Sequence, residues 1–174
     1  TPEAVEDTTY LDTQKYYLNT RKENDRYWNT IKSGFNGIND INALLSKRID
    51  LNNTKRIDHG AEKRLVIEGE SYQNLKSVCQ SEGITLNVAA QFVWHKILNI
   101  YTSDEQTIVG STVSGRDIPV EGVEQGVGLY INTLPLAVNW EEGASVRSML
   151  HSIQQEVAQL NTYSSVSLAR MQEG

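Results

Sequence analysis

A chain of 174 residues, 39% apolar and 22% charged, is long enough to bury one hydrophobic core or to form one lobe of a larger protein, and its composition excludes a disordered class. The net charge of -6 is uneven: residues 1–60 carry nine of the 16 basic and nine of the 22 acidic groups, so the remainder carries seven against thirteen. That balance excludes a basic stripe for nucleic acid, and no apolar run approaches the roughly 18 residues of a membrane span. Cys79 stands alone, which rules out an internal disulfide and a thiolate metal cluster. The N-terminal "TPEAVEDTTY" has neither a basic nor an apolar signal region, so a cytoplasmic location is expected. Without an initiator Met, the chain reads as a segment of a longer polypeptide.

Thr20 with Glu23 has the capping-box form, and Tyr27, Trp28 and Ile31 share a face, which predicts a helix from Arg21 to Ser33, stopped at Gly34. Residues 34–60, rich in Asn, Asp and Gly, read as a long surface connection with a short helical turn at "NALLS". "EKRLVIEG" (62–69) reads as a strand with a glycine stop. Ser71 then caps a helix with Tyr72, Leu75, Val78 and Cys79 on one face, ending at Gly83. Thr85 begins another over 86–101, where Ala89, Ala90, Val93, Trp94, Ile97, Ile100 and Tyr101 form a wide apolar stripe and predict a largely buried helix.

"TIVGSTV" (107–113) is strand-like and leads through "SGRD" into the acidic loop "IPVEGVEQGVG". "INTLPLAVNW" (131–140) alternates like a strand, with Pro135 confined to an edge, a bulge or a strand start. The cleanest helix follows Ser145, where Val146, Met149, Leu150, Ile153, Val157 and Leu160 keep helical spacing. A short turn, "SLARMQ", closes the chain. Strands alternating with helices predict an α/β class, helices packed on a mixed β-sheet.

Candidate chemistry is sparse. His59, His95 and His151 have no neighbouring histidine or carboxylate at metal-ligand spacing, so a structural or solvated role is the reading for each. Cys79 lies on an apolar helix face and reads as core. Ser111 and Ser114 lack the spacing of a nucleophile elbow and the lysine of a P-loop, and Gly122, Gly126 and Gly128 do not form a dinucleotide fingerprint. Asp117, Glu121 and Glu124 offer carboxylates for acid–base work or a cation, against the simpler reading of a solvated acidic loop. Trp28 and Trp94 read as core.

"TLNVAAQFVWHKILNIYTSDEQTIVGSTVSGRDIPVEGVEQGVGLYINTLPLAV" (85–138) resembles the C-terminal lobe of the condensation domains of nonribosomal peptide synthetases. That family shows a "TL" helix start, "Y-T" before a "D/E-x-x-(I/V)-x-G" strand, "S-G-R" and "G-L-F-I-N-T-L-P-L-R", and the chain matches them in order, with Tyr130 for the usual Phe. "YLDTQKYYLNTRKENDRYW" (10–28) is similar to the family's passage between lobes. "TYSSVSLARMQ" (162–172) is similar to the region of its sixth motif, departing from the "QDYPFE" form.

The resemblance implies one lobe of a two-lobe fold like chloramphenicol acetyltransferase. Residues 1–33 would be the inter-lobe linker with the helix that follows it, and 34–174 a C-terminal lobe incomplete at its end. It implies amide formation between a donor acyl or peptidyl thioester and an acceptor aminoacyl thioester, as in antibiotic biosynthesis in a bacterial cytoplasm. No cofactor is bound directly, since substrates arrive on the phosphopantetheine arms of carrier proteins. The implied partners are the N-terminal lobe of the same domain, the donor and acceptor peptidyl carrier proteins and an adjacent adenylation domain. The lobe taken alone is expected to self-associate.

The family's H-H-x-x-x-D-G motif belongs to the N-terminal lobe, so no catalytic residue is expected in this chain and the segment alone is expected to be inactive. The resemblance gives Ser114, Gly115, Arg116, Asn132 and Thr133 as tunnel-lining residues, with Asn132 and Thr133 supplying neutral hydrogen-bonding groups. Asp117, Glu121 and Glu124 fall on the floor loop. Ala137 stands where the family has Arg. Epimerization relatives carry "E-G-H-G-R-E" where this chain has Thr112–Asp117, and Thr112 replaces the glutamate they need, which favours amide-forming condensation. The rival readings are a stand-alone acyltransferase of the same superfamily and a non-catalytic platform for a carrier protein.

Overall fold

The computed structural model describes residues 7–37, 39–50 and 60–166. Their elements, in order, are helix α1 (Thr9–Lys32), a 3-10 turn (Ile41–Leu44), helices α2 (Gly69–Ser81) and α3 (Leu86–Thr102), strands β1 (Gln106–Val113) and β2 (Asn132–Asn139), and helix α4 (Val146–Thr162). β1 and β2 pair in a two-stranded sheet. The described residues divide into two compact units, the first drawn from 1–37, 108–137 and 155–174, the second from 38–107 and 138–154.

In the first unit, α1 starts eleven residues before the capping box that was expected to open it, counting from Thr9 to Thr20. Thr20 sits mid-helix, and its hydroxyl donates back to the Tyr16 carbonyl at 3.0 Å instead of capping. The same device lets polar residues be buried: Thr13 donates to the Thr9 carbonyl (2.9 Å) and Asn24 to the Thr20 carbonyl (3.1 Å). Further along this face Trp28 is 2% exposed, and its indole N–H donates to the Tyr163 carbonyl at 2.8 Å. Tyr27 stacks on the Tyr163 ring at 4.0 Å, and burial, with smaller contributions from Glu156 and Tyr163, pushes its hydroxyl up to about 12. Leu134 and Leu136 of β2 are buried and alternate with half-buried Pro135 and Ala137, the period-2 pattern predicted for this strand. In a two-stranded sheet one side of each strand lies outside the ladder, which accommodates a residue without an N–H.

The second unit confirms two caps. Thr85 Oγ1 accepts from the Val88 N–H at 3.2 Å, and Ser145 Oγ accepts from the Ser148 N–H at 3.1 Å. It also corrects three expectations. Residues 61–68 form no strand, and Gly69 begins a helix where it was expected to end a strand. Leu65, Val66 and Ile67 are exposed and meet no partner strand among the described residues, so the β-branched run has nothing to pair with. Ser71 does not cap α2, because the helix starts two residues earlier behind Glu68. Finally, the apolar stripe expected to bury α3 lies open. Trp94, Val93, Ile97 and Ile100 are exposed, and the residues buried on this helix are Val88 and His95. Of the apolar face expected on α2, Cys79 is buried, while Tyr72 and Val78 are exposed. The turn expected at "NALLS" appears one residue earlier as the 3-10 turn, and "SLARMQ" and His59 lie outside the described residues.

Between α3 and β1, His95 Nδ1 lies 2.8 Å from Thr107 Oγ1, which also accepts the Trp140 indole N–H at 3.0 Å. Lys96 sits over the Trp140 ring at 4.5 Å. Both His95 and Thr107 are fully buried, and His95 Nε2 has no hydrogen-bond partner among the described residues. Burial lowers the His95 pKa to about 4, against a smaller opposing hydrogen bond from the Thr107 backbone. The unfolded chain binds this proton near 6.5, so between about pH 6.5 and pH 4 it holds more protons than the folded one. Stability is therefore predicted to fall as pH drops through that window, by on the order of 3 kcal/mol, and to be insensitive to this group above about pH 7. Denaturant midpoints measured from pH 8 to pH 4 should show the decline in the wild-type chain and a shallower one in His95→Asn.

Candidate functional site

The segment Ser114–Asp117 leaves β1 in the first unit through a turn that only glycine fits. Gly115 has φ +66, and a Cβ there would stand 2.9 Å from the Tyr130 carbonyl carbon and closer still to its oxygen. Ser114 Oγ accepts the Arg116 N–H at 3.2 Å, which tightens the turn. The Gly115 carbonyl accepts the Tyr17 hydroxyl at 3.0 Å. Burial, and after it the neighbouring Tyr130, Tyr10 and Tyr16, raises the Tyr17 pKa, so this hydroxyl stays a donor at neutral pH.

Arg116 does not reach into solvent. Its Nη1 donates to the carbonyls of Val123 and Gly126, the latter at 3.0 Å, and its guanidinium lies over the Tyr130 ring at 3.9 Å. The loop it closes is turned on itself by Gln125 and Gly126, whose N–H groups both donate to the Gly122 carbonyl at 3.0 Å. Val123 is tucked inward. Residues Arg116–Gln125 enclose an open concavity of about 790 Å³. Asp117, Glu121 and Glu124 are exposed and line it, and no group of His, Cys, Asp or Glu among the described residues is arranged to hold a metal.

Tyr130 is 4% exposed, meets Tyr10 edge-on at 5.5 Å, and has no partner for its hydroxyl among the described residues. Around it the chain alternates: Val127, Leu129 and Ile131 are 85%, 88% and 76% exposed, an apolar ridge on the strand approach. Asn132 then opens β2. Its Nδ2 donates to the carbonyls of Ser164 (2.9 Å) and Val166 (2.6 Å), and its Oδ1 accepts the Thr133 N–H at 2.9 Å. The Thr133 side chain is exposed, opposite Gly110, whose added Cβ would meet Thr133 Cγ2 at 3.1 Å.

The structure thus brings Ser114, Gly115, Arg116, Asn132 and Thr133 together in one unit with Asp117, Glu121 and Glu124 on the loop between them. Sequence reading missed Tyr10, Tyr17 and the carbonyls of residues 163–166. Tyr10 and Tyr17 are seven apart on α1, a signal hidden by the polar residues between them. His151, half-exposed on α4, comes within 3.7 Å of Glu82, which is already held by Arg147 through bonds of 2.7 and 2.5 Å. No nucleophile–base pair forms at the site among the described residues. Gly115→Ala is predicted to cost more than about 2 kcal/mol, since a left-handed backbone at a residue with Cβ costs roughly 1–2 kcal/mol before the Tyr130 backbone is displaced. Thermal unfolding checks it; a variant as stable as the wild type would contradict the close approach.

The chain matches the family model "Condensation domain" over residues 3–174. It is 33% identical over 178 residues to the N-(5-amino-5-carboxypentanoyl)-L-cysteinyl-D-valine synthase of Amycolatopsis lactamdurans, covering 99% of this chain. It is 31% identical to the synthase of the same name from Penicillium rubens, covering 95% of this chain. The chain spans 5% of the length of each of these relatives. In fold it is similar to the first condensation domain of the calcium-dependent antibiotic synthetase, in complex with a substrate analogue, with a TM-score of 0.67 at 16% identity over 96% of this chain and 37% of that one. A loop tied by Arg116, a strand opened by Asn132 and a family match across nearly all of its length lead to one assignment: the chain belongs to the condensation-domain family.

Proposed function

We propose that this chain supplies one wall and the floor loop of the tunnel in which a condensation domain of a cytoplasmic, antibiotic-producing peptide synthetase forms an amide. The observation that carries the reading is the Arg116 clamp, which ties down the loop 117–126, whose residues line an open concavity and which joins in sequence the two segments, 114–116 and 132–133, that the resemblance gives to the tunnel. The reaction joins the acceptor's amine nitrogen to the donor's acyl carbon and breaks the carbon–sulfur bond, so the donor's phosphopantetheine thiol leaves and the amine surrenders one proton. A base for that proton is sought in the N-terminal lobe, since the carboxylates of Asp117, Glu121 and Glu124 stand exposed on the floor loop and Arg116 is bonded to the Val123 and Gly126 carbonyls. Asn132 and Thr133 are neutral, which suits the reacting centre, since a fixed charge there would hold water and shift the amine's protonation.

The partners in this reading are the N-terminal lobe, donor and acceptor carrier proteins and an adenylation domain, and substrates enter on phosphopantetheine without a directly bound cofactor. The exposed ridge of Val127, Leu129 and Ile131 supports a surface completed by another part of the domain.

Arg116→Lys tests the reading. A lysine keeps the charge but has no planar guanidinium to stack on Tyr130 and so to hold the donating nitrogen at both carbonyls, and hydrogen bonds to charged groups are worth about 1.5–3 kcal/mol. In the intact two-lobe domain with loaded carriers, amide formation should fall by about 10–100-fold while carrier affinity holds. Unchanged turnover with weakened carrier binding would instead support the platform reading, and turnover on a free acyl donor without carriers would support a stand-alone acyltransferase.

A further inference from the structure

We propose that the two polar residues opening β2 divide their labour: Asn132 is a positioning residue that locks the chain leaving α4, and Thr133 is the group presented to the reactants. The inference rests on the tunnel-wall reading above and deepens it.

The carbonyls of the segment after α4 are collected by side chains rather than by a helix or sheet. The Tyr163 carbonyl takes the Trp28 indole N–H, and those of Ser164 and Val166 take both hydrogens of the Asn132 amide. Ser164 and Val166 are buried, so leaving these acceptors unpaired would be costly. The requirement on position 132 is narrow. It must offer two donors from one nitrogen to carbonyls two residues apart, and an acceptor to the next N–H in its own chain. Aspartate has the shape and none of the donors. Serine has one donor. Glutamine has both, displaced by one methylene.

With its nitrogen committed to Ser164 and Val166 and its oxygen to Thr133, the Asn132 side chain has no amide hydrogen left for a substrate. Thr133, by contrast, has its backbone N–H fixed by Asn132 and its side chain exposed. Asn132 therefore acts on the reaction through the position of Thr133 and of the exit segment.

The test uses the intact two-lobe domain with its carrier proteins, in Asn132→Asp, Asn132→Gln and Thr133→Val. Turnover and KM for carrier-bound donor are measured beside amide hydrogen exchange in peptides covering 160–166. Asn132→Asp should speed exchange there at least tenfold and lower kcat at least tenfold, with KM within twofold. Its rate should partly recover as pH falls and the carboxyl regains a proton to donate. Asn132→Gln should restore part of both losses. Thr133→Val should lower kcat with exchange unchanged. A fall in turnover for Asn132→Asp without faster exchange would overturn the proposal and make Asn132 a direct contact of the reactants, leaving the tunnel wall intact. Faster exchange with unchanged turnover would overturn the positioning role. Wild-type behaviour in all three variants would overturn the proposal and the tunnel-wall reading together.

Discussion

The guanidinium of Arg116 meets a tyrosine ring on one side and two backbone carbonyls on the other, and the candidate site is organised by that contact. Without it the loop 117–126 would keep its local turns around Gly122 but lose its attachment to the end of β1. Arg116 reaches those carbonyls because Gly115 permits a left-handed turn against the Tyr130 backbone, a place where any Cβ would collide. Tyr130 in turn is seated by Tyr10, and the Gly115 carbonyl is held by Tyr17, so α1 supports the loop from below. One arginine, one glycine and three tyrosines thus hold a strand end and its loop in a fixed arrangement.

The same physical solution recurs through the first unit. Segments that leave regular structure carry carbonyls that no helix or ladder satisfies, and side-chain donors gather them: Tyr17 for Gly115, Arg116 for Val123 and Gly126, Trp28 for Tyr163, Asn132 for Ser164 and Val166. Such bonds fix irregular chain at defined positions, the kind of order that the proposed reaction between two tethered substrates would use.

Local chemistry was legible from sequence where it was self-contained. The Thr85 and Ser145 caps and the helix of α4 depend on residues within a few positions, and they formed as read, with Met149, Ile153 and Leu160 of its stripe buried and Val146 exposed; both strands after residue 105 carry their own pattern and pair with each other. What failed depended on distant partners. The early start of α1 was hidden because Thr13, polar by composition, is buried by bonding to its own helix, and Thr20, taken as a cap, bonds back to Tyr16. The run 62–69 has strand composition but no strand beside it among the described residues, and the α3 stripe has apolar residues but no surface covering them. For the site, the motifs around Arg116 and Asn132 were visible as a resemblance, yet their partners were not. Nothing in "INTLP" announces carbonyls 32 and 34 residues away.

The proposed tunnel wall consists of the Arg116-tied loop and the Thr133 face. It is tested most directly by a crystal structure of the intact domain with a non-hydrolysable pantetheine-linked substrate analogue bound. The analogue is expected within contact distance of Thr133 and of the loop 117–126, with Arg116 still bonded to the Val123 and Gly126 carbonyls. An analogue bound elsewhere, or an Arg116 released from the loop to face solvent, would contradict it.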